Sequence, residues 1–173
     1  MAQFHPAELT TARLHMRCAS TADPDALAAA VNDFEIARWL TRVPYSYARV
    51  DAEDYILRLV DQPKLVWAIH DTEGFAGIIG FDNDLGYWLA RRTWARGYAT
   101  EAARAALDVW FADPTLEEVH SSYFEGNEAS ARVLEKMGFR DGGPRLLPSV
   151  SNGRDMVARK MRLTRTDWQA ARS

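Results

Sequence analysis

One segment of the chain has the residue types and the spacing of an anion-binding site. Residues 87–102 read Tyr-Trp-Leu-Ala-Arg-Arg-Thr-Trp-Ala-Arg-Gly-Tyr-Ala-Thr-Glu-Ala, which predicts a strand, a basic turn and the start of a helix. The first N–H groups of a helix lack partners within it, and the helix dipole adds about half a positive charge there. Gly97 leaves the backbone accessible, and Arg91, Arg92 and Arg96 add charge. We therefore predict a pyrophosphate site that needs no metal ion; an ordinary helix start with surface arginines is the alternative interpretation.

Other chemistries lack their sequence signatures. The chain has no GxxxxGK[ST] loop, no GxSxG turn, no HExxH helix and no CxxC pair. Gly74, Gly77 and Gly80 do not form a dinucleotide fingerprint, because their spacing is wrong and they fall inside a predicted strand. The histidines show no metal-ligand spacing, so we predict no metal site. They are His5, His15, His70 and His120.

The residues around the predicted helix start resemble the acetyl-CoA-binding core of the GNAT superfamily of N-acetyltransferases. Residues 94–99 keep the Gly and the final Ala of the family's [Q/R]xxGx[G/A] loop but begin with Trp94. This Trp, together with Gly-Tyr-Ala-Thr-Glu-Ala at 97–102, is similar to the branch that contains the ribosomal-protein N-terminal alanine acetyltransferases. Ala95 replaces a Gly that is common in that branch, so we expect slightly less backbone freedom there.

Two further segments support the resemblance. Residues 127–139, which begin Asn-Glu-Ala-Ser and end Val-Leu-Glu-Lys-Met-Gly-Phe, are similar to the NxAS…LEKxGF segment of the same branch. Residues 39–53 resemble its helix-pair region. The resemblance extends from about Leu9 to Trp168. Three motifs in the right order indicate the family more specifically than any one of them.

The resemblance implies how acetyl-CoA would be bound. In the family, the fourth strand and the strand after the pyrophosphate helix separate, and the pantetheine arm lies between them. The backbone of Leu89 would then face the thioester, where its N–H would stabilise an oxyanion. Asn127 would contact the pantetheine arm. The pyrophosphate would be bound by the residues of the loop and helix start, namely Trp94, Ala95, Arg96, Gly97, Tyr98, Ala99 and Thr100.

The resemblance also implies catalytic roles in a direct transfer to a primary amine, within a ternary complex. Ser130 resembles the serine that acts as general acid in the branch. Asp84, at the start of the fourth predicted strand, is the leading candidate for the general base, acting directly or through water. Asp82 and Glu125 are alternatives for that role. Tight-turn chemistry is the structural alternative for Asp82 and Asp84.

Aromatic residues ahead of the second predicted helix are candidates for shaping the acceptor site, together with the turn at 148–153. Core packing is the alternative interpretation for such side chains. The residues are Phe34, Trp39, Tyr45 and Tyr47. The acceptor itself, a protein N-terminus or a small-molecule amine, is not identified by the sequence.

Two other functions stay open at this point. The chain could be a CoA-binding sensor or scaffold that has kept the cofactor site and lost turnover. It could also be an interaction module without a ligand, in which case Trp88, Trp94 and Trp110 would mark a partner surface.

Hydrophobic periodicity predicts an α+β fold, with a mixed, mostly antiparallel sheet of about seven strands flanked by about four helices. Short turns indicate an antiparallel meander in the middle of the chain, and the helix that follows it permits one parallel strand pair. The predicted strands are 11–17, 65–70, 75–81, 85–90, 117–124 and two that flank the turn at 151–153. The predicted helices are 24–32, 51–60, 98–111 and 128–137.

Composition places the chain among soluble globular proteins, and we expect residues 1–173 to form one domain. The chain is 47% hydrophobic and 26% charged, and its net charge of −3 argues against a nucleic-acid partner. No uncharged apolar stretch approaches the roughly 20 residues of a membrane span. Residues 1–10 lack the pattern of a secretory signal, which favours a cytoplasmic location. The resemblance adds a homodimer as a possible assembly.

Overall fold

The computed structural model describes residues 6–62 and 64–172 and shows the α+β class that the sequence predicts. The strands are β1 Leu9–Thr10, β2 His15–Arg17, β3 Leu65–Asp71, β4 Gly74–Asp82, β5 Asp84–Leu89, β6 Glu118–Phe124, β7 Arg140–Ser149 and β8 Arg154–Thr164. The helices are α1 Pro24–Val31, α2 Phe34–Ala37, α3 Arg49–Asp61, α4 Tyr98–Ala112, α5 Glu128–Lys136 and α6 Arg165–Ala171. A single 3-10 turn, Arg91–Thr93, follows β5.

The strands form one sheet in the order β1-β2-β3-β4-β5-β6-β8-β7. Neighbouring strands are antiparallel except β5 and β6, which run parallel because α4 carries the chain back between them. This parallel pair has one register position, Leu85 opposite Ser121, where Ser121 Oγ donates a hydrogen bond of 2.8 Å to the Leu85 carbonyl. Beyond it β5 and β6 no longer pair, which leaves an opening in the middle of the sheet.

Each face of the sheet packs against its own set of helices. On one face, Leu107 of α4 and Leu134 of α5 are fully buried in a core that includes Leu85 and Leu89. On the other face, residues of α1 to α3 such as Leu27 and Ala52 form a second core. Successive side chains of a strand point to opposite faces, so alternate residues of β5 face α4 and α5, and those between face α1 to α3.

Glycines in β4 allow close approach of its neighbours. A Cβ built at Gly77 would lie 2.2 Å from the Trp88 carbonyl oxygen of β5, and one at Gly80 would lie 2.5 Å from the Leu65 carbonyl oxygen of β3. These glycines lie inside a strand, as the sequence predicts. Their role is therefore to let the three strands pack closely.

The sequence-based element count differs from the structure at three places. Residues 11–17 were expected to form one strand. In the structure β1 ends at Thr10 and β2 begins at His15, because the Thr11 N–H donates to the Leu14 carbonyl and closes a turn between them. The short helix α2 lies in a region expected to be irregular, and α6 follows β8 directly. Thr164 begins α6 as its cap, with its side chain accepting a hydrogen bond from Asp167 N–H. Within the described residues, no helix has the length and apolar character needed to cross a membrane.

Candidate active site

A cavity of about 660 Å³ lies where β5 and β6 separate. Its walls come from β5, β6, the loop before α4, the first turn of α4, one side of α5 and the region of α2. Most of the predicted cofactor and catalytic residues line it, although they are far apart in sequence. Those that do are Leu89, Trp94, Ala95, Gly97, Tyr98, Ala99, Thr100, Asn127 and Ser130.

The backbone of Leu89 faces this cavity. The Leu85 carbonyl accepts from β6, and the Leu89 carbonyl accepts a 3.0 Å hydrogen bond from Trp94 Nε1, whereas the Ala90 N–H donates to β4. Because the N–H and C=O of one strand residue point to the same side, and successive residues alternate, the Leu89 N–H points away from β4. It is therefore oriented toward the opening between the strands, as the resemblance implies.

The loop and first turn before α4 present backbone N–H groups. Gly97 caps α4 with φ 77° and ψ 9°, and Ala95 also has a positive φ of 59°. Gly97 makes no side-chain cap, and the first helical hydrogen bond runs from Glu101 N–H to the Gly97 carbonyl. Among the described residues, no protein acceptor receives the N–H groups of residues 95–100. This arrangement suits an anion.

The arginines of this segment do not point their charge at the cavity. Each is paired with a carboxylate, and these hydrogen bonds from arginine lower the pKa of the Asp33 and Asp71 carboxyls. The pairs are Arg91 with Asp33 at 2.6 Å, Arg92 with Asp71 at 2.8 Å and Arg96 with Glu73 at 3.2 Å. Of the predicted loop residues, Arg96 is the one that does not line the cavity. The helix start supplies the more direct attraction for an anion.

Sequence reasoning missed the contact that fixes this helix start. Glu101, in the first turn of α4, accepts hydrogen bonds from Thr11 Oγ1 and from the backbone and side chain of Arg13. Arg13 Nη1 also donates to the Arg96 carbonyl at 2.7 Å. Burial acts to raise the pKa of Glu101, but these hydrogen bonds outweigh it and lower the pKa. A glutamate next to a predicted anion site would repel the anion, so its presence could have indicated that a cation such as Arg13 neutralises it.

Two cations on α5 were also missed. Arg132 and Lys136 lie one helical turn apart and line the cavity, and in the part of the chain that the structure describes neither forms an ion pair. A basic i, i+4 pair beside a predicted phosphate loop could have indicated them. They are available to phosphate groups in a way that the paired arginines are not.

Ser130 lies at the start of α5, held on two sides. Its N–H donates to Asn127 Oδ1 at 3.2 Å, so Asn127 caps the helix as a good capping residue should. Its Oγ lies 3.0 Å from the hydroxyl of Tyr87, which extends from β5. Burial raises the pKa of Tyr87 to about 12, so the phenol is neutral at physiological pH. The sequence analysis did not identify Tyr87. A tyrosine on the core-facing side of a strand could have indicated it, because its hydroxyl needs a hydrogen-bond partner there.

None of the carboxylates considered for the base role lines the cavity. Asp84 Oδ2 lies 3.7 Å from Arg145 Nη1, and Glu125 Oε1 lies 3.8 Å from Arg159 Nη1. Asp82 is held by Lys64 at 2.5 Å and by Arg42 at 3.0 Å, and the hydrogen bond from Lys64 is the main cause of its lowered pKa. Among the described residues, the carboxylate that does line the cavity is Glu35 of α2.

Of the aromatic residues predicted to shape the acceptor site, one lines the cavity and three do not. Trp39 lines the cavity, and its ring approaches Gly126 of the β6–α5 turn, whereas Phe34, Tyr45 and Tyr47 do not line it. Tyr47 is buried in the second core, and burial raises its pKa to about 12.

The predicted turn at 148–153 lies against the α2 region without lining the cavity. Ser151 Oγ donates to the Ala37 carbonyl at 2.8 Å, and Asn152 Nδ2 donates to the Arg38 carbonyl at 2.9 Å. The β7–β8 hairpin therefore holds the segment that carries Trp39. No group of three or more potential metal ligands occurs among residues 6–62 and 64–172; His5 lies outside the described residues.

Comparisons with curated proteins find bacterial relatives. YkkB of Bacillus subtilis (strain 168), an uncharacterized protein, is 47% identical over 55 residues, a match that covers 32% of this chain and 32% of YkkB. The uncharacterized N-acetyltransferase YoaA of the same organism is 26% identical over 153 residues and matches 78% of this chain and 84% of YoaA.

Solved structures share the fold at low sequence identity. The ribosomal-protein-S5-alanine acetyltransferase of Vibrio fischeri matches with a TM-score of 0.78 and 19% identity, covering 94% of this chain and 98% of that one. The spermidine N-acetyltransferase of Vibrio cholerae, solved with CoA and spermine, matches with a TM-score of 0.76 and 17% identity over 92% and 99% of the two chains.

A family model described as an acetyltransferase (GNAT) domain matches residues 13–140. These residues include the loop before α4 and the Asn127 to Ser130 segment, which carried the resemblance. Because the match spans more than half of the chain, this protein belongs to the GNAT family of acetyltransferases.

Proposed function

We propose that this protein transfers an acetyl group from acetyl-CoA to a primary amine by direct attack in a ternary complex. One observation carries the proposal: the uncapped N–H groups before α4 and the cavity-facing backbone of Leu89 line the same opening between β5 and β6. If the N–H groups before α4 hold the pyrophosphate, the attached thioester arm would lie along the backbone of Leu89.

The residues at the two ends of the opening fit the two parts of acetyl-CoA. The N–H groups of residues 95–100, with Arg132 and Lys136 nearby, suit the phosphate groups. From Gly86 to Leu89, β5 pairs with β4 but not with β6, so its free edge offers backbone groups to the amides of the pantetheine arm. Asn127 lies beside this path, with its Oδ1 already used to cap α5.

The proposed step forms a C–N bond and breaks a C–S bond. As the amine attacks, negative charge grows on the carbonyl oxygen, where the Leu89 N–H would stabilise it. Sulfur takes the electron pair of the breaking bond and leaves as a thiolate, to which the Ser130 hydroxyl would donate a hydrogen bond. The base would take the proton that the nitrogen gives up when it becomes an amide. Because thiols are acidic, with a pKa of about 8.5 for cysteine, the leaving group needs only modest assistance.

The attacking amine must be neutral. At pH 7, roughly one α-amine in ten is neutral, against fewer than one lysine amine in a thousand. A protein N-terminus or another weakly basic amine therefore needs the least help from a base. We keep Asp84 as the proposed base, acting through water because its carboxylate does not line the cavity.

The proposal is tested by incubating the full chain with acetyl-CoA and a panel of amines, while thiol release is monitored. The panel contains peptides with free N-termini, polyamines and aminoglycosides, and each peptide has an N-terminally acetylated copy as its matched control. We expect thiol release that requires the free amine. CoA binding is measured in parallel by calorimetry.

The outcomes separate the candidate functions. Tight CoA binding with no thiol release on any acceptor would favour a CoA sensor or scaffold. Absence of CoA binding would overturn the assignment of the opening as a cofactor site. If activity is found, Asp84→Asn and Glu35→Gln identify the base: loss in the first variant supports Asp84, and loss in the second alone moves the role to the carboxylate in the cavity wall.

A further inference from the structure

Tyr87 is a partly buried titratable group that contacts Ser130 and has no assigned part in the proposed reaction. It lies on β5, two residues before Leu89 and on the same side of the strand, and it lines the cavity. Its hydroxyl oxygen lies 3.0 Å from Ser130 Oγ and 3.3 Å from the Ser130 carbonyl oxygen. The side chain thus spans from β5 to α5, across the sheet opening.

The hydroxyl protons of this pair allow two arrangements. Each hydroxyl has one proton to donate and can also accept, whereas the Ser130 carbonyl can only accept. In one arrangement Tyr87 donates to the Ser130 carbonyl and the Ser130 hydroxyl donates to Tyr87, which consumes the serine proton. In the other, Tyr87 donates to Ser130 Oγ, and the serine proton is free to turn toward the cavity.

We propose that Tyr87 is a positioning residue that donates its hydroxyl hydrogen bond to Ser130 Oγ and thereby directs the Ser130 proton to the sulfur of CoA. The inference rests on the proposed acetyl transfer and on the role of Ser130 in it. Tyr87 does not touch the reacting atoms and keeps its proton throughout. When the C–S bond breaks and sulfur takes its electron pair, Ser130 donates to the sulfur while Tyr87 donates to Ser130.

The surroundings of Tyr87 suit a permanent donor. Burial disfavours the phenolate and raises the pKa of Tyr87 to about 12, so the proton stays on the phenol across the physiological range. The Asn127 cap fixes the backbone of Ser130 at the same time. With Ser130 held by Tyr87 and Asn127, the motion that remains is the rotation of its O–H bond.

The test measures the thiol pKa of CoA bound to the full chain, by ultraviolet titration of its thiolate, and needs no acceptor. We expect the thiol pKa to be lower in the complex than in free CoA. Ser130→Ala should raise it by about one unit, a tenfold change, and Tyr87→Phe by about half a unit, or threefold. The double variant should match Ser130→Ala, because Tyr87 acts only through Ser130.

Tyr55→Phe is the matched control, since it removes the hydroxyl of another partly buried tyrosine, on α3, that does not line the cavity. It should leave the thiol pKa unchanged. Replacing Tyr87 by 3-fluorotyrosine, a stronger hydrogen-bond donor, should move the thiol pKa in the opposite direction from Tyr87→Phe. The fluorotyrosine variant keeps the hydroxyl, so it still tests the hydrogen bond to Ser130 if Tyr87→Phe does not fold.

Different results would overturn the acetyl transfer and the role of Tyr87. If the wild-type chain does not bind CoA, the proposed function is overturned. If CoA binds but its thiol pKa is the same with Tyr87, with fluorotyrosine and with phenylalanine, Tyr87 only braces β5 against α5 and the inference is wrong. Additive shifts in the double variant would also overturn it, because they would mean that Tyr87 acts independently of Ser130.

Discussion

Gly97 precedes α4 with a φ of 77°, a left-handed conformation that costs a residue with a Cβ about 1–2 kcal/mol. The space around it is not the obstacle, because a Cβ there would meet Arg13 Nη2 at 3.4 Å, an ordinary contact with a flexible side chain. A substitution at this position therefore adds this backbone strain, and a negatively charged side chain would also repel a bound anion.

We predict that Gly97→Asp abolishes CoA binding while the chain still folds. The carboxylate would place negative charge where the N–H groups of residues 95–100 face an anion. Gly97→Asn is the matched control, with nearly the same shape and strain and no charge, and should lose at most about tenfold in affinity. Calorimetry measures binding and circular dichroism the fold; equal affinities for Asp and wild type would contradict the anion site.

We predict that Ser130→Ala lowers kcat moderately, by about tenfold, with little change in acetyl-CoA affinity. The Ser130 N–H keeps its bond to Asn127 in this variant, so the start of α5 is preserved. Steady-state kinetics with an acceptor found by the panel would check this. A normal rate would remove Ser130 from the role of general acid.

The residues of the site differ in how far the sequence could predict them. Asn127 and Ser130 could be predicted together because both lie in the short NxAS segment that resembles the family, three positions apart in the sequence. Tyr87 and Ser130 are 43 positions apart, and Arg13 and Glu101 are 88 apart. No local pattern encodes such contacts, because they depend on which strands and helices become neighbours.

At the scale of elements, β4 sets the position of β5. The close approach at Gly77 brings the β4 backbone against Trp88 and Leu89, whereas Gly80 gives β3 the same freedom on the opposite edge. The meander of β3, β4 and β5 was predictable from short turns and apolar runs, since its pairings are local. The split between β1 and β2 was not predicted, because the turn from Thr11 to Leu14 that separates them is also held by a distant residue, Glu101 of α4, through the Thr11 hydroxyl.

We predict that Gly77→Ala destabilises the fold by about 1–3 kcal/mol and also weakens CoA binding, because the added methyl group must displace the backbone at Leu89. Gly80→Ala should cost less stability, since it displaces β3 but lacks the positive φ of 153° found at Gly77, and it should leave CoA affinity nearly unchanged. Urea unfolding and calorimetry compare the two variants. Equal effects on CoA affinity would show that β4 does not position the Leu89 backbone.

At the scale of the whole molecule, a buried polar cluster joins β2, α1 and β3 away from the candidate site. Arg17 donates to both carboxylate oxygens of Asp23, whose side chain is 5% exposed, and to Nε2 of His70 at 3.2 Å. His70 Nε2 must therefore accept, which leaves the ring neutral with its proton on Nδ1. Burial, and next the charge of Arg17, lower the pKa of His70.

This cluster predicts that the protein loses stability as the pH falls below about 6.5, the pKa of an unfolded histidine. Between that value and the lower pKa of folded His70, the unfolded chain binds a proton that the folded chain does not, so unfolding is favoured. Urea unfolding at pH 7.5 and at decreasing pH measures the loss. His70→Gln, which keeps an acceptor for Arg17 and does not titrate, should lose less; an unchanged pH dependence would contradict the assignment.

The α+β class was predictable because strand and helix periodicities are local, and one domain for residues 1–173 stays a prediction. What periodicity could not supply is the opening between β5 and β6. It exists because a single pair, Leu85 and Ser121, holds two strands whose sequences alone read as ordinary sheet. The helices α4 and α5 pack against that face, and only the folded chain brings them together there.

The bond from Trp94 to the Leu89 carbonyl has a consequence for how tightly a ligand is held. This oxygen has two lone pairs, so an incoming amide either shares it with the indole or displaces the indole and exchanges one partner for another. Such a swap contributes alignment and almost no net free energy. Tight retention would then come from the phosphate end, and a freed indole at the mouth of the cavity would report ligand arrival through its fluorescence.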